Sequence, residues 1–261
     1  MNLNRTFAPA AWPALLAAGA LAQPHRGDIL LTVTDDRIRT GITASDGGIG
    51  PEERVFQTDL GVAAPNFTAD PGFDSLPGTF VPGSRIGFTI QRAVREWNGV
   101  DFFSLSPNEF EVSFATLAAY SPPDDTPVTG FTLSVGSNGQ WHRHLDYTLM
   151  PPADAGVYLL ELTLWNSRGT PGESEPFWIV FNQNSPREEA DAATRWVREN
   201  LIGESCIADF NEDGGVDGGD VEAFFVAWEA GGSVADVNQD GGVDGADVEY
   251  FFVRWEAGGC E

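Results

Sequence analysis

Lysine is absent from this chain of 261 residues, and its fourteen basic residues are all arginine. That usage points to a bacterial genome of high GC content. Against these cations stand 39 carboxylates, for a formal net charge of −25. Such a balance argues against nucleic acid as a partner, and against docking on an anionic membrane surface. Histidine is scarce, with three residues, and cysteine scarcer, with two. There is no G-x-S-x-G and no H-E-x-x-H, so serine-hydrolase and zinc-protease chemistry have no motif to rest on. Beyond the N-terminal segment no run is long and apolar enough to span a bilayer.

That first segment, residues 1–22, reads as a secretory signal. Arg5 is its only charge, an Ala/Leu-rich run follows, and Ala20-Leu21-Ala22 offers a small-x-small cleavage site before Gln23. Pro9 and Pro13 make it a poor membrane helix. The expectation is a secreted or cell-surface protein of a bacterium, with no membrane span after cleavage.

From Asp28 to Asn182 the pattern is β. Strands are expected at 29–33, 37–42, 55–60, 86–91, 109–117, 131–135, 140–149, 156–165 and 175–181, with Asp35-Asp36 as a hairpin turn. Phe110, Val112 and Phe114 alternate with Glu109, Glu111 and Ser113, one face dry and one wet. Short strands punctuated by Pro and Gly predict a mainly β fold, a sandwich or jelly roll over 23–183. The stretch 63–82 reads as a long loop. Ser185 as N-cap and Pro186 at the first helical position then open a linker helix over 184–203.

The last quarter, 204–261, holds a tandem repeat. ADFNEDGGVDGGDVEAFFVAWEAGG begins at Ala208 and ADVNQDGGVDGADVEYFFVRWEAGG at Ala235, identical at 20 of 25 positions. Such self-similarity marks one supersecondary unit used twice. Counting each loop from its first Asp, Asp209, Asn211, Asp213, Asp217 and Asp220 fall at positions 1, 3, 5, 9 and 12. Asp236, Asn238, Asp240, Asp244 and Asp247 repeat them. Gly214 and Gly241 turn the chain at position 6, and Gly215 and Gly242 offer backbone carbonyls at position 7. Hard Ca2+ takes six to eight oxygens, and this spacing gathers them on one point. Two Ca2+ ions are therefore expected. Val221, Phe224, Phe225 and Trp228, with their copies Val248, Phe251, Phe252 and Trp255, give each following helix an apolar face. Cys206 and Cys260 bracket the module, and in an exported protein they read as a disulfide. The segment carries fifteen carboxylates against one cation, Arg254, so more than half of the net charge belongs to it.

The loop-plus-helix repeat with Asp at position 12 resembles a type I dockerin over 206–260. That family docks onto cohesin modules of a scaffold or cell surface, so a cohesin-like or cell-surface partner is what the resemblance implies. Positions 10 and 11, commonly Ser-Thr-like in the family, are here Gly218-Gly219 and Gly245-Ala246.

His142 and His144 stand two apart on a predicted strand and so share a face. His25 lies near the start of the mature chain with Asp28 close behind. Two or three histidines with a carboxylate suit Zn2+ or Cu2+; the bland alternative is two histidines on a wet strand face. Pro24 lacks the amide N–H that an amino-terminal copper chelate needs. His25, Pro71-Gly72-Phe73, His142-x-His144 and Glu175–Asn182 together resemble secreted bacterial β-proteins repressed by the zinc-uptake regulator, some with a PEP-CTERM tail. That resemblance, over 23–183, implies zinc handling with His25, His142 and His144 as ligands.

Three function classes follow. One is a secreted or surface binding protein with a Ca2+-loaded attachment module and a β domain that binds zinc. The second is a carbohydrate-active enzyme or carbohydrate-binding protein of a polysaccharide-degrading system, with Glu109, Glu111 and Glu161 as candidate carboxylates and Trp97 or Trp141 as sugar platforms. The third is a structural surface protein.

Overall fold

Runs of β-branched and aromatic residues between Gly, Pro and Asp dictate strands, and their cross-pairing decides everything else. The structure, a computed structural model, describes residues 27–45, 47–202, 207–211, 215–238 and 242–256. The expected signal segment (1–22), His25, Cys206, Cys260, and the loop residues Asp213, Gly214, Asp240 and Gly241 lie outside the described residues. The described elements are β1 (Ile29–Thr34), β2 (Arg37–Thr43), β3 (Ile49–Glu52), β4 (Val55–Asp59), β5 (Phe67–Thr68), β6 (Phe73–Ser75) and β7 (Arg85–Ile90). They continue with β8 (Arg95–Glu96), β9 (Phe110–Phe114), β10 (Leu117–Tyr120), β11 (Val128–Ser134), β12 (Asp146–Leu149), β13 (Gly156–Asn166) and β14 (Phe177–Gln183). The α-helices are α1 (Arg187–Val197), which runs on into a π-helical turn at Arg198–Ile202, α2 (Gly218–Glu229) and α3 (Gly245–Glu256).

The fold is mainly β. Two four-stranded sheets, ordered β3-β2-β1-β6 and β10-β9-β12-β5, share one buried core with a larger sheet ordered β11-β7-β13-β14-β4, to which β8 is joined through β13. Two neighbouring pairs, β1–β6 and β4–β14, are parallel, where an all-antiparallel jelly roll has none. Strands β13 and β14 are buried on both faces and mostly apolar, because both faces are covered. Tyr158, Leu160, Leu162 and Leu164 enter the main core, while Val157 and Leu159 meet Ala190, Ala193 and Val197 of α1. The expected linker helix is thus an outer layer of the β domain. It begins at Arg187, after Pro186, and has no side-chain cap. Ser185 does not cap it: Pro186 takes the N-cap position, and the Ser185 N–H donates to Asn182 Oδ1 at 3.0 Å.

Other expectations need adjustment. Residues 109–117 do not form one strand but fold back as the β9–β10 hairpin, turning at Ala115 with φ 55°. No Gly or Asn marked that turn. Of the predicted strand 140–149 only Asp146–Leu149 enters a ladder, opposite β9 and β5. The supposed loop 63–82 carries β5 and β6. Asp35 and Asp36 do form the β1–β2 turn, both at positive φ as a two-residue hairpin requires.

In the C-terminal repeat, Phe224 of α2 and Phe251 of α3 are fully buried and stack at 4.3 Å with rings 1° from parallel. Phe210 packs edge-on against both. Gly231 at φ 63° closes α2, with Gly232 N–H bonded to Ala227 O and Gly231 N–H to Trp228 O, a Schellman ending.

The core makes one direct prediction. Phe177 is fully buried and meets both Phe56 and Phe73 edge-on. Phe177→Ala should destabilise the β domain by about 3–5 kcal/mol, read as a lowered urea midpoint.

Candidate metal centre

The site grows from one short strand held on both sides. β6 pairs in parallel with β1, Ile29 opposite Phe73, and Ile29 N–H donates to Gly72 O at 2.8 Å. On its other side Phe73 exchanges both backbone hydrogen bonds with Arg143, at 2.8 and 2.9 Å. Asp28, one residue before β1, is thereby brought level with His142 and His144, which flank Arg143. Trp141 and Leu145 are buried and anchor the histidine segment at each end. Trp141 N–H donates to Ser75 Oγ at 2.9 Å, and the Arg143 guanidinium donates to the His142 and Ser134 carbonyls at 2.6 and 2.7 Å. The segment is pinned by backbone and by side chains, so the two imidazoles point the same way.

Asp28 is buried; the histidines are partly exposed. Asp28 Oδ2 stands 3.6 Å from His142 Nε2 and 3.5 Å from His144 Nε2, and a donor atom from each of the three residues lies within 4.8 Å of the others. A tetrahedral ion with donors at about 2.0–2.1 Å sets those donors about 3.3–3.4 Å apart. The two His–Asp separations are already near that value. His144 Nδ1 lies 3.0 Å from Ala69 O and 3.4 Å from Asp70 Oδ1. Donation of Nδ1–H to this carbonyl leaves the Nε2 lone pair turned toward Asp28, the outer-sphere arrangement typical of metal-bound histidine. Two imidazoles and a carboxylate form a borderline donor set that suits zinc and is foreign to calcium.

Gly72 closes the floor of the group. A Cβ there would stand 2.6 Å from His144 Cε1 and Nε2 and 2.8 Å from Asp28 Oδ1. Only glycine lets the β6 backbone approach this closely.

Two of the three expected zinc ligands, His142 and His144, are therefore brought together, and His25 lies outside the described residues. Asp28, noticed in the sequence only as a carboxylate near His25, is the group that structure adds. Of the Glu175–Asn182 phrase, Phe177–Asn182 lies in buried β14 and Glu175 pairs with Arg39 and Arg54, so the phrase does not line the site.

The candidate carboxylates do not converge. Phe110 and Val112 of β9 enter the main core, so Glu111 points out of that sheet, where Tyr120 OH donates to it at 2.8 Å. Glu161 leaves β13 on the opposite face of the core, 2.8 Å from Arg92. Burial pushes its carboxyl above the usual range, partly offset by Arg92. The core separates Glu161 from Glu109 and Glu111, so it cannot act with either. Trp141 is buried, which removes it as a sugar platform, and Trp97 packs against Phe102 and Trp196.

In the repeat, the position 12 carboxylates Asp220 and Asp247 are fully buried. Asp220 accepts from Asn211 N at 3.1 Å and Asp217 N at 2.8 Å; Asp247 accepts from Asn238 N at 3.3 Å and Asp244 N at 2.8 Å. Positions 3, 9 and 12 are thus drawn together identically in both copies. Positions 1 and 7 are described (Asp209, Asp236, Gly215 and Gly242); the position 5 residues are not. The helices start at positions 10 and 11, where Gly218-Gly219 and Gly245-Ala246 present almost no side chain.

No protein-family model matches this chain, and no curated protein matches it.

The glycine floor is testable. Gly72→Ala should lower zinc affinity by about tenfold or more, the scale on which disturbed surroundings of a metal cost binding, while the far-UV circular dichroism stays that of the unsubstituted chain. Calorimetric titration with Zn2+ reads this.

Proposed function

We propose that this protein is an exported bacterial binding protein whose β-sandwich domain holds one Zn2+ through Asp28, His142 and His144. Its C-terminal repeat serves as a dockerin-like, calcium-loaded attachment module. The observation that carries the zinc half is the convergence of two imidazole nitrogens on one buried carboxylate oxygen, from segments 114 residues apart in sequence. Binding there requires no catalytic machinery: the imidazoles and the carboxylate supply charge and geometry, and the partly exposed ring edges give the ion a way in.

Support for the calcium half is the twofold repetition of the oxygen-bearing spacing, with the position 12 carboxylate buried in each copy. Each of these carboxylates accepts two N–H groups of its own loop, which draws positions 3, 9 and 12 together in both copies. Attachment to a scaffold or cell surface follows from the likeness to dockerins. The near-blank positions 10 and 11 favour a partner read by backbone and helix surface over one that reads Ser-Thr side chains.

Calorimetry on the full chain should show one Zn2+ bound per molecule. The double variant His142→Ala, His144→Ala should lose that binding, and unchanged affinity would sink the zinc reading. For calcium, EGTA should lower the melting temperature of the module. At free Ca2+ near 100 times Kd each bound ion contributes about 2.7 kcal/mol, so an unmoved transition would sink the calcium reading.

A further inference from the structure

The two halves of the repeat exchange a hydrogen bond that neither makes for itself. Trp228, on α2, donates its indole N–H to the carbonyl oxygen of Asp244 at 2.8 Å. Trp255, on α3, donates to the carbonyl oxygen of Asp217 at 3.0 Å. Asp244 and Asp217 are position 9 of the second and first loops, so each indole reaches the loop of the other copy.

These two aspartates are the hinge between loop and helix. The Asp217 carboxylate caps α2 through Gly219 N at 2.7 Å, and its own N–H is held by Asp220 at position 12. Asp244 does the same through Ala246 N at 2.8 Å and Asp247. A clamp on the carbonyl of position 9 therefore fixes the side chains of positions 9 and 12 relative to one another. The stacked Phe224–Phe251 pair keeps the two helices in the register that makes both reaches possible.

We propose that Trp228 and Trp255 are positioning residues that act across the repeat, each holding the calcium loop of the other copy, so that filling one loop favours filling the second. The proposal rests on the calcium reading above. It concerns residues that contact no ion: the lever is a single neutral hydrogen bond in each direction, and its loss frees the exit of the opposite loop.

Phenylalanine tests it, because a six-membered aromatic ring remains to pack against Phe225 or Phe252 while the indole N–H is lost. The full chain, labelled with 15N, is titrated with Ca2+ while the amides of Gly215 in the first loop and Gly242 in the second are followed by NMR. In the unsubstituted chain both should move along one common curve. In Trp228→Phe the Gly242 curve should move to about two- to tenfold higher Ca2+ than the Gly215 curve, the scale of one neutral hydrogen bond. In Trp255→Phe the order should reverse. Displacement of both curves together in either variant, or displacement of the loop in the same copy, would overturn the proposal in favour of simple packing. If neither amide responds to Ca2+ in the unsubstituted chain, the calcium reading itself fails, which is a distinct result.

Discussion

The pair of backbone hydrogen bonds between Phe73 and Arg143 is the constraint on which the β domain's chemistry depends. β6 is only three residues long, yet it joins β1 on one side and the histidine segment on the other. A slip of one residue in that pairing would turn both imidazoles to the opposite face, because strand side chains alternate. The buried Trp141 and Leu145 prevent the slip, since it would expose them. Core packing and the placing of the two imidazoles are therefore set by one and the same register.

The same economy appears at Gly72. The approach of β6 to Asp28 and His144 leaves no room for a Cβ, so the residue that makes the close packing possible also leaves the donors free to converge. The buried Asp28 carboxylate faces two partly exposed imidazoles, a group that could hold a metal ion.

In the C-terminal repeat the organising principle is self-complementarity. Each copy presents one fully buried phenylalanine, and the two stack on each other. Each copy also presents one indole N–H to the other. A half-repeat would leave Phe224 or Phe251 exposed and would lack the bond at position 9. Duplication here completes the structure, and the acidity of the segment is concentrated around two loops that the aromatic seam holds together.

Much of this was written in the chain. The alternation of Phe110 and Val112 with Glu109 and Glu111 marked β9, the almost wholly apolar run of β13 marked a strand covered on both faces, and the 27-residue offset marked the repeat. Local spacing determined these because side-chain periodicity and loop spacing are local properties. It also placed His142 and His144 on one face. It did not reveal the Ala115 turn, which lacks the usual residues, nor β6 inside an irregular stretch, nor the separation of Glu161 from Glu109 and Glu111 by the core. Above all, the partnership of Asp28 with the two histidines was decided by tertiary structure. It arises from a parallel pairing and an isolated bridge that join residues 28, 72 and 143, and no periodicity along the chain encodes contacts over such separations.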